Sequence, residues 1–270
     1  MKRNEQLKAK RGYLVLIGGA EDRTGQKEIL RRTVELNGAS IVTVIPSASR
    51  HPVELAQQYR RAFRALGVSR VHTLDIRSRK EADLNRHAER IAESDLIFFT
   101  GGDQVRLVRL LGNSRLIEET RQRLRQGATV AGSSAGAAAA SDPMLYDGQL
   151  KGLHKGRVRH SHGFGFIKGI TIDTHFIQRN RIGRLAQFLV SSRNDRGIGL
   201  SEDTALIIGP GGIGEVVGRG TVIILNSEGL RYSNYKESEL DMPISLHGLM
   251  LGFLSAGIRF NIRRWSIVKS

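Results

Sequence analysis

Over the first half of the chain, short runs of β-branched and aromatic residues alternate with longer amphipathic stretches, the pattern of parallel strands joined by crossover helices. Tyr13 to Ile17 reads as a buried strand ending at Gly18-Gly19, and Gln26 to Leu36 as a helix stopped by Asn37-Gly38. Ile41 to Ile45 predicts a second strand, broken by Pro46, and a helix from about Val53 to Leu66 ends at Gly67. Val71 to Ile76 and Glu81 to Glu93 form the third strand and helix of the pattern. Asp95 to Thr100 is a fourth strand closed by Gly101-Gly102. Two helical pieces, split near Gly112-Asn113, lead into a fifth strand at Ala128 to Ala131.

The second half is more mixed. Ile170 to Thr174 and Gly197 to Leu200 predict strands on either side of a helix from about Ile182 to Ser192. Ala205 to Ile208, Gly214 to Val217 and Val222 to Leu225 read as a short antiparallel meander with glycine turns. Leu246 to Gly257 is expected to be helical, and Arg259 to Arg263 to return as a last strand. The whole predicts an α/β fold with a doubly wound, mostly parallel sheet flanked by helices and a small antiparallel C-terminal extension, as one domain over residues 1–270.

Composition narrows the chemistry. Cysteine is absent, which excludes a disulfide framework, a thiolate metal site and a cysteine nucleophile, and is compatible with a reducing compartment. Met1 to Arg11 is charged without an apolar segment, and no apolar run is long enough to span a bilayer, so the expectation is a cytoplasmic protein with no membrane partner. A formal charge of +16 raises the alternative of a non-enzymatic nucleic-acid-binding module. Yet the arginines are scattered (Arg31-Arg32, Arg60-Arg61, Arg121, Arg123, Arg125, Arg263-Arg264) and aromatics make up only 6% of residues, so no basic stripe with stacking rings is formed. A solvated surface that concentrates acidic substrates is expected instead, with no nucleic-acid partner.

The strongest chemical signal is Gly132-Ser133-Ser134-Ala135-Gly136, placed between the fifth strand and an alanine-rich helix, Ala137 to Ala140. A strand-to-helix turn of small residues projects its central side chain outward and leaves free N–H groups at the helix start, so Ser134 gains an exposed hydroxyl beside the Ala135 N–H. The blander alternative is a Gly/Ser turn that merely caps the helix. A serine nucleophile needs a base. His175 ends the apolar strand Ile170 to Thr174, at the carboxyl edge where open α/β sheets place their crevice. The other histidines lie in helices, strands or a basic loop without such context. For the acid that orients the imidazole, Glu202, Asp203 and Asp173 all qualify on position. Gly101-Gly102-Asp103-Gln104 is a candidate for a second oxyanion donor, or a tight turn with Asp103 as helix N-cap. Gly18-Gly19 lacks the spacing of a dinucleotide-binding loop. Arg179, Arg181 and Arg184, just beyond His175, suit carboxylate recognition or a soluble helix surface equally well.

The chain order Ser, His, acid, together with Ile17-Gly18-Gly19-Ala20-Glu21-Asp22, Phe99-Thr100-Gly101-Gly102-Asp103-Gln104, Ser134-Ala135-Gly136-Ala137, Ile172-Asp173-Thr174-His175-Phe176 and Gly197-Ile198-Gly199-Leu200-Ser201-Glu202-Asp203-Thr204-Ala205, resembles the cyanophycinase and aspartyl dipeptidase family, the serine-peptidase branch of the class I glutaminase-like fold. The likeness runs colinearly from about Gly12 to Arg263. It implies Ser134 as nucleophile, His175 as general base and Glu202 as acid, with an oxyanion hole from the N–H groups of Gly102 and Ala135. It also implies a substrate pocket containing Gln104, Asp173, Arg179, Arg181 and Arg184. Members of this kind are exopeptidases without metal or cofactor that release β-Asp-Arg dipeptides from cyanophycin, an aspartate-backbone polymer with arginine branches, and they are commonly homodimers. The family pattern usually carries Gln before the histidine, where this chain has Thr174. That shortens a pocket side chain and bears on which aspartyl peptide fits. The basic segment Asp147 to His162 is expected as a flap over the site.

Overall fold

A computed structural model describes residues 12–148, 153–192 and 194–269. In chain order the first half comprises β1 (Leu14–Ile17), α1 (Glu28–Glu35), β2 (Ile41–Ile45), α2 (Pro52–Ala65), β3 (Arg70–Thr73), α3 (Arg79–Ala82), α4 (Asn85–Ala92), β4 (Leu96–Phe99), α5 (Gln104–Leu111), α6 (Arg115–Gln126), β5 (Thr129–Ser133) and α7 (Ala135–Ala140). Short strands β6 (Ser141–Asp142), β7 (Met144–Asp147), β8 (Arg159–Ser161) and β9 (Ile167–Lys168) follow, then β10 (Thr171–Asp173), α8 (Ile182–Ser191), β11 (Arg196–Leu200), β12 (Thr204–Ile208), β13 (Ile213–Gly218) and β14 (Val222–Asn226). The last strands are β15 (Tyr232–Ser233), β16 (Leu246–His247), β17 (Met250–Leu254), β18 (Arg259–Asn261) and β19 (Ser266–Ile267).

Nine strands build the main sheet in the order β19-β18-β13-β12-β1-β5-β4-β2-β3. From β1 to β3 all pairings are parallel; beyond β1 on the other side they are antiparallel. Strand periodicity explains why both faces are covered. Along β4, Leu96 and Phe98 point to one face and pack with α1 and α2 residues such as Leu30, Tyr59 and Phe63, while Ile97 and Phe99 point to the other and pack with Leu107, Leu111 and Ile117 of α5 and α6. The protein is thus an α/β fold wound on both sides of its sheet, as its alternating pattern predicts.

The helix starts follow local chemistry. Asp103 and Ser114 accept backbone N–H donations from Arg106 and Ile117 at the N-termini of α5 and α6, and Gly127 closes α6 in the left-handed conformation. The helix predicted over 81–93 is divided, because Ser78 caps α3 and the chain turns at Asp83-Leu84 before α4.

A second, four-stranded sheet, β10-β11-β14-β17, stands beside the first, with α8 packed on it through Leu185, Phe188 and Leu189. Two expectations are corrected here. Val222 to Leu225 does not continue a meander from β13; β14 leaves for the second sheet and pairs with β11 and β17. Leu246 to Gly257 is not helical but holds β16 and β17. Glycines 248, 252 and 257 weaken any helix there, and the apolar run instead satisfies its backbone groups against β14. Of the basic segment 147–162, residues 149–152 lie outside the described residues; the flanking parts pair as β7 with β8, and His154 bridges to Pro243. No helix among the described residues is long and apolar enough to cross a membrane.

Candidate active site

The carboxyl end of β1 organises three distant chain segments. Its successive carbonyls at Ile17, Gly18 and Gly19 accept the N–H groups of Ser134, His175 and Asp203, each at 2.9 Å. Ser134 arrives at the end of β5, His175 just after β10, and Asp203 just after β11. Side chains on the two glycines are excluded by the same crowding. A Cβ on Gly18 would collide with the Ser201 carbonyl, and one on Gly19, whose φ is +100°, would lie 2.5 Å from the His175 ring.

Ser134 sits between β5 and α7 with φ 50° and ψ −106°, a strained backbone region for an L-residue that turns its hydroxyl out of the sheet edge. Gly136, two residues further, lets the start of α7 lie against the Phe99 carbonyl. The Ser134 Oγ is 2.8 Å from His175 Nε2, and His175 Nδ1 is 2.6 Å from Glu202 Oε1. With Nδ1–H donating to Glu202, Nε2 is left as acceptor for the seryl proton. His175 is itself at φ 47°. Burial pushes its pKa below the ordinary histidine value; the hydrogen bond to Glu202 opposes this, and the Arg179 guanidinium adds to the lowering. A neutral imidazole at neutral pH is the state a general base requires.

Glu202 and Asp203, equal candidates by position, are separated by their surroundings. Asp203 adopts φ 46° and its Oδ1 accepts the Asp22 N–H at 3.1 Å, whereas Glu202 reaches the imidazole and its own N–H donates to Gln178 Oε1. Gly101 packs on Ser134, so close that a Cβ there would lie 3.4 Å from the Ser134 Cβ. That brings the Gly101-Gly102 turn beside the hydroxyl. Ala135 is the first residue of α7, where an N–H has no acceptor within the helix. Gln104, the first residue of α5, directs Nε2 toward the Leu145 carbonyl at 3.5 Å.

The remaining expected pocket residues divide into two groups. Arg179 is exposed. Asp173, Arg181 and Arg184 are buried together: Arg184 Nε donates to Asp173 Oδ2 at 2.6 Å and its Nη2 to Oδ1, while Arg181 Nη1 donates to Asp173 Oδ1 at 3.3 Å and to the Thr174 carbonyl at 2.7 Å. Two guanidinium groups thus face one carboxylate, and burial lowers the pKa of Arg181 to about 10. Arg181 Nε and Arg184 Nη1 are buried with no hydrogen-bond partner among the described residues. Thr174, 4% exposed, lies between this cluster and His175.

Gly18, Gly19 and Gln178 were not singled out as site residues from the sequence. The double glycine at a strand's carboxyl end is the signal that marks the first two; nothing in the sequence marks Gln178. Among the described residues, no group of three or more His, Asp or Glu is arranged to hold a metal ion.

A family model described as peptidase family S51 matches residues 14–215. A cyanophycinase from Geminocystis herdmanii (strain PCC 6308) is 36% identical over 255 residues, covering 93% of this chain and 94% of its own. One from Nostoc sp. (strain PCC 7120) is 36% identical over 259 residues, covering 94% and 87%. Among solved structures, a peptidase from an acI-B1 Actinobacterium shares the fold with a TM-score of 0.73 at 24% identity, over 94% of this chain and 98% of that one.

Proposed function

The chain belongs to peptidase family S51, as a serine-type peptidase, and from that membership we propose that it hydrolyses the aspartate backbone of cyanophycin to β-Asp-Arg dipeptides through a Ser134-His175-Glu202 triad. The observation that carries this reading is the continuous hydrogen-bonded path from the Ser134 hydroxyl through both imidazole nitrogens to the Glu202 carboxylate.

Ser134 attacks a substrate carbonyl as its proton passes to His175 Nε2, and Glu202 holds the ring and stabilises the imidazolium that forms. The tetrahedral oxyanion is met by the N–H groups of Gly102 and Ala135. His175 then returns the proton to the leaving amine, which departs from an acyl-enzyme, and water, deprotonated by the same imidazole, completes hydrolysis. No metal or cofactor takes part in this scheme. Arg179 offers an exposed cation for substrate carboxylates, and the excess positive charge of the Asp173-Arg181-Arg184 cluster, with two nitrogens that have no hydrogen-bond partner among the described residues, supports anion recognition behind Thr174. Gln104 contributes an amide at the other wall of the pocket. The working form is a homodimer in the cytoplasm, to be checked by light scattering and by fractionation.

A test incubates the purified protein with cyanophycin and identifies products by mass. β-Asp-Arg is expected, and Ser134→Ala is expected to remain folded with no turnover and no labelling by a fluorophosphonate probe. Full hydrolysis by that variant would remove Ser134 from the chemistry.

Thr174 favours a second reading in which the same triad cleaves α-aspartyl or other isoaspartyl dipeptides, because a pocket side chain that is usually Gln in this family is shorter here. Relative kcat/KM on cyanophycin and on Asp-X dipeptides separates the two.

A further inference from the structure

A buried carboxylate outside the triad touches the residue next to the nucleophile. Glu21 follows the Gly18-Gly19-Ala20 turn and is 3% exposed. One of its oxygens, Oε2, accepts a hydrogen bond from Ser133 Oγ at 2.6 Å; the other, Oε1, accepts one from the Tyr59 hydroxyl of α2. Ser133 is itself 3% exposed and is the last residue of β5, directly opposite Ile17 of β1 in the sheet register. The donors are well defined. Burial, reinforced by the Glu21 charge, raises the Tyr59 phenol well above its ordinary value, so it keeps its proton. Tyr59 is further fixed by the rings of Phe63 and Phe98 and by the Arg23 guanidinium over its face.

We propose that Glu21 is a positioning residue that fixes the nucleophile turn by holding the Ser133 hydroxyl against α2. This rests on the reading of Ser134 as nucleophile. The physical reason lies in the strain at Ser134. A backbone at φ 50° and ψ −106° relaxes unless its neighbours fix it from both sides. Downstream, α7 does so through the Ala138 N–H to Ser134 carbonyl bond, and the Ser134 N–H is held by Ile17. The side chain before the nucleophile is held by the Glu21 carboxylate, with the Tyr59 hydroxyl beside it. Such an arrangement costs nothing in substrate binding and acts on the distance between Oγ and Nε2, where displacements of an ångström change rates by orders of magnitude.

The test uses Glu21→Met, Glu21→Gln and Ser133→Ala, each read for kcat, KM and rate of fluorophosphonate labelling, with folded fraction from circular dichroism. Glu21→Met and Ser133→Ala are expected to lower kcat and labelling rate by about tenfold or more while KM stays within about twofold. Glu21→Gln, which can accept from Tyr59 and donate to Ser133, is expected to recover most of the loss. The double variant Glu21→Met/Ser133→Ala is expected to be no slower than the slower single variant, because both remove one contact. If Glu21→Met does not fold, Ser133→Ala alone decides. A folded Ser133→Ala with wild-type kcat and labelling overturns the proposal, as does a kcat loss in Glu21→Met that only tracks its unfolded fraction. Ser134→Ala in the same assay keeps the two readings apart. Wild-type turnover there removes the nucleophile assignment, whereas a Ser134→Ala that has lost turnover beside fully active Glu21 and Ser133 variants removes only the positioning role.

Discussion

His175 lies in a position that disfavours its charged form. Burial and the Arg179 charge both lower its pKa, and Glu202 only partly compensates. The acid limb of kcat/KM is therefore expected to break below pH of about 6.5, the usual imidazole midpoint, since activity is lost as the base becomes protonated. Arg179→Gln removes a repelling cation, makes the imidazolium easier to form, and should move that limb to higher pH; a limb that stays in place would show that the charge does not act on the ring. Glu202→Gln should lower kcat by on the order of a thousandfold or more, because the ring loses the partner that fixes its tautomer. At this scale Ser134 and His175 were legible, since a small-residue turn after a strand and a histidine at a strand's carboxyl end are local patterns. The choice of Glu202 over Asp203 was not legible without the family resemblance. Both follow the same strand, and only the left-handed backbone at Asp203, which returns its carboxylate to the Asp22 N–H, separates their directions.

The elements carrying the site are held together by two kinds of contact. On the second sheet, Asp173 of β10 and Arg184 of α8 are joined by a paired set of charged hydrogen bonds, both side chains 1% exposed. Asp173→Ala leaves two guanidinium groups in a nonpolar interior and is expected to cost about 3–5 kcal/mol of stability, measured by denaturant unfolding. At the end of β1, Gly19→Ala drives a methyl group into the imidazole and should reduce kcat by about a hundredfold while the sheet stays folded. A glycine-to-alanine variant with normal kcat would mean the ring has room to move. The βα alternation of the first half was legible because β1 to β4 are each followed by amphipathic helices, three of them started by a side-chain cap at Ser78, Asp103 or Ser114. The later strands were not. Whether Val222–Asn226 pairs with β13 or crosses to β11, and whether 246–257 coils or extends, depends on partners far away in the chain rather than on local period.

Across the whole molecule, a formal charge of +16 is spread over an exterior where many arginines engage nearby carboxylates, as Arg121 and Arg125 do with Glu118. Such pairs add little stability, but the residual field attracts anions at long range. The kcat/KM for an aspartyl substrate is expected to fall as NaCl is raised to about 0.5 M, where screening is strong, while that for an amidated, uncharged analogue changes little; equal salt curves would rule out steering. The arrangement at residues 17, 18 and 19 has a bearing on synthesis as well as on catalysis. Because neighbouring peptide units of one strand engage turns near positions 134, 175 and 203, a nascent chain that has emerged only through its first two hundred residues possesses the hydroxyl and the imidazole but not the acid that orients the ring. If Ser134, His175 and Glu202 act together as proposed, hydrolytic competence arises only late in translation.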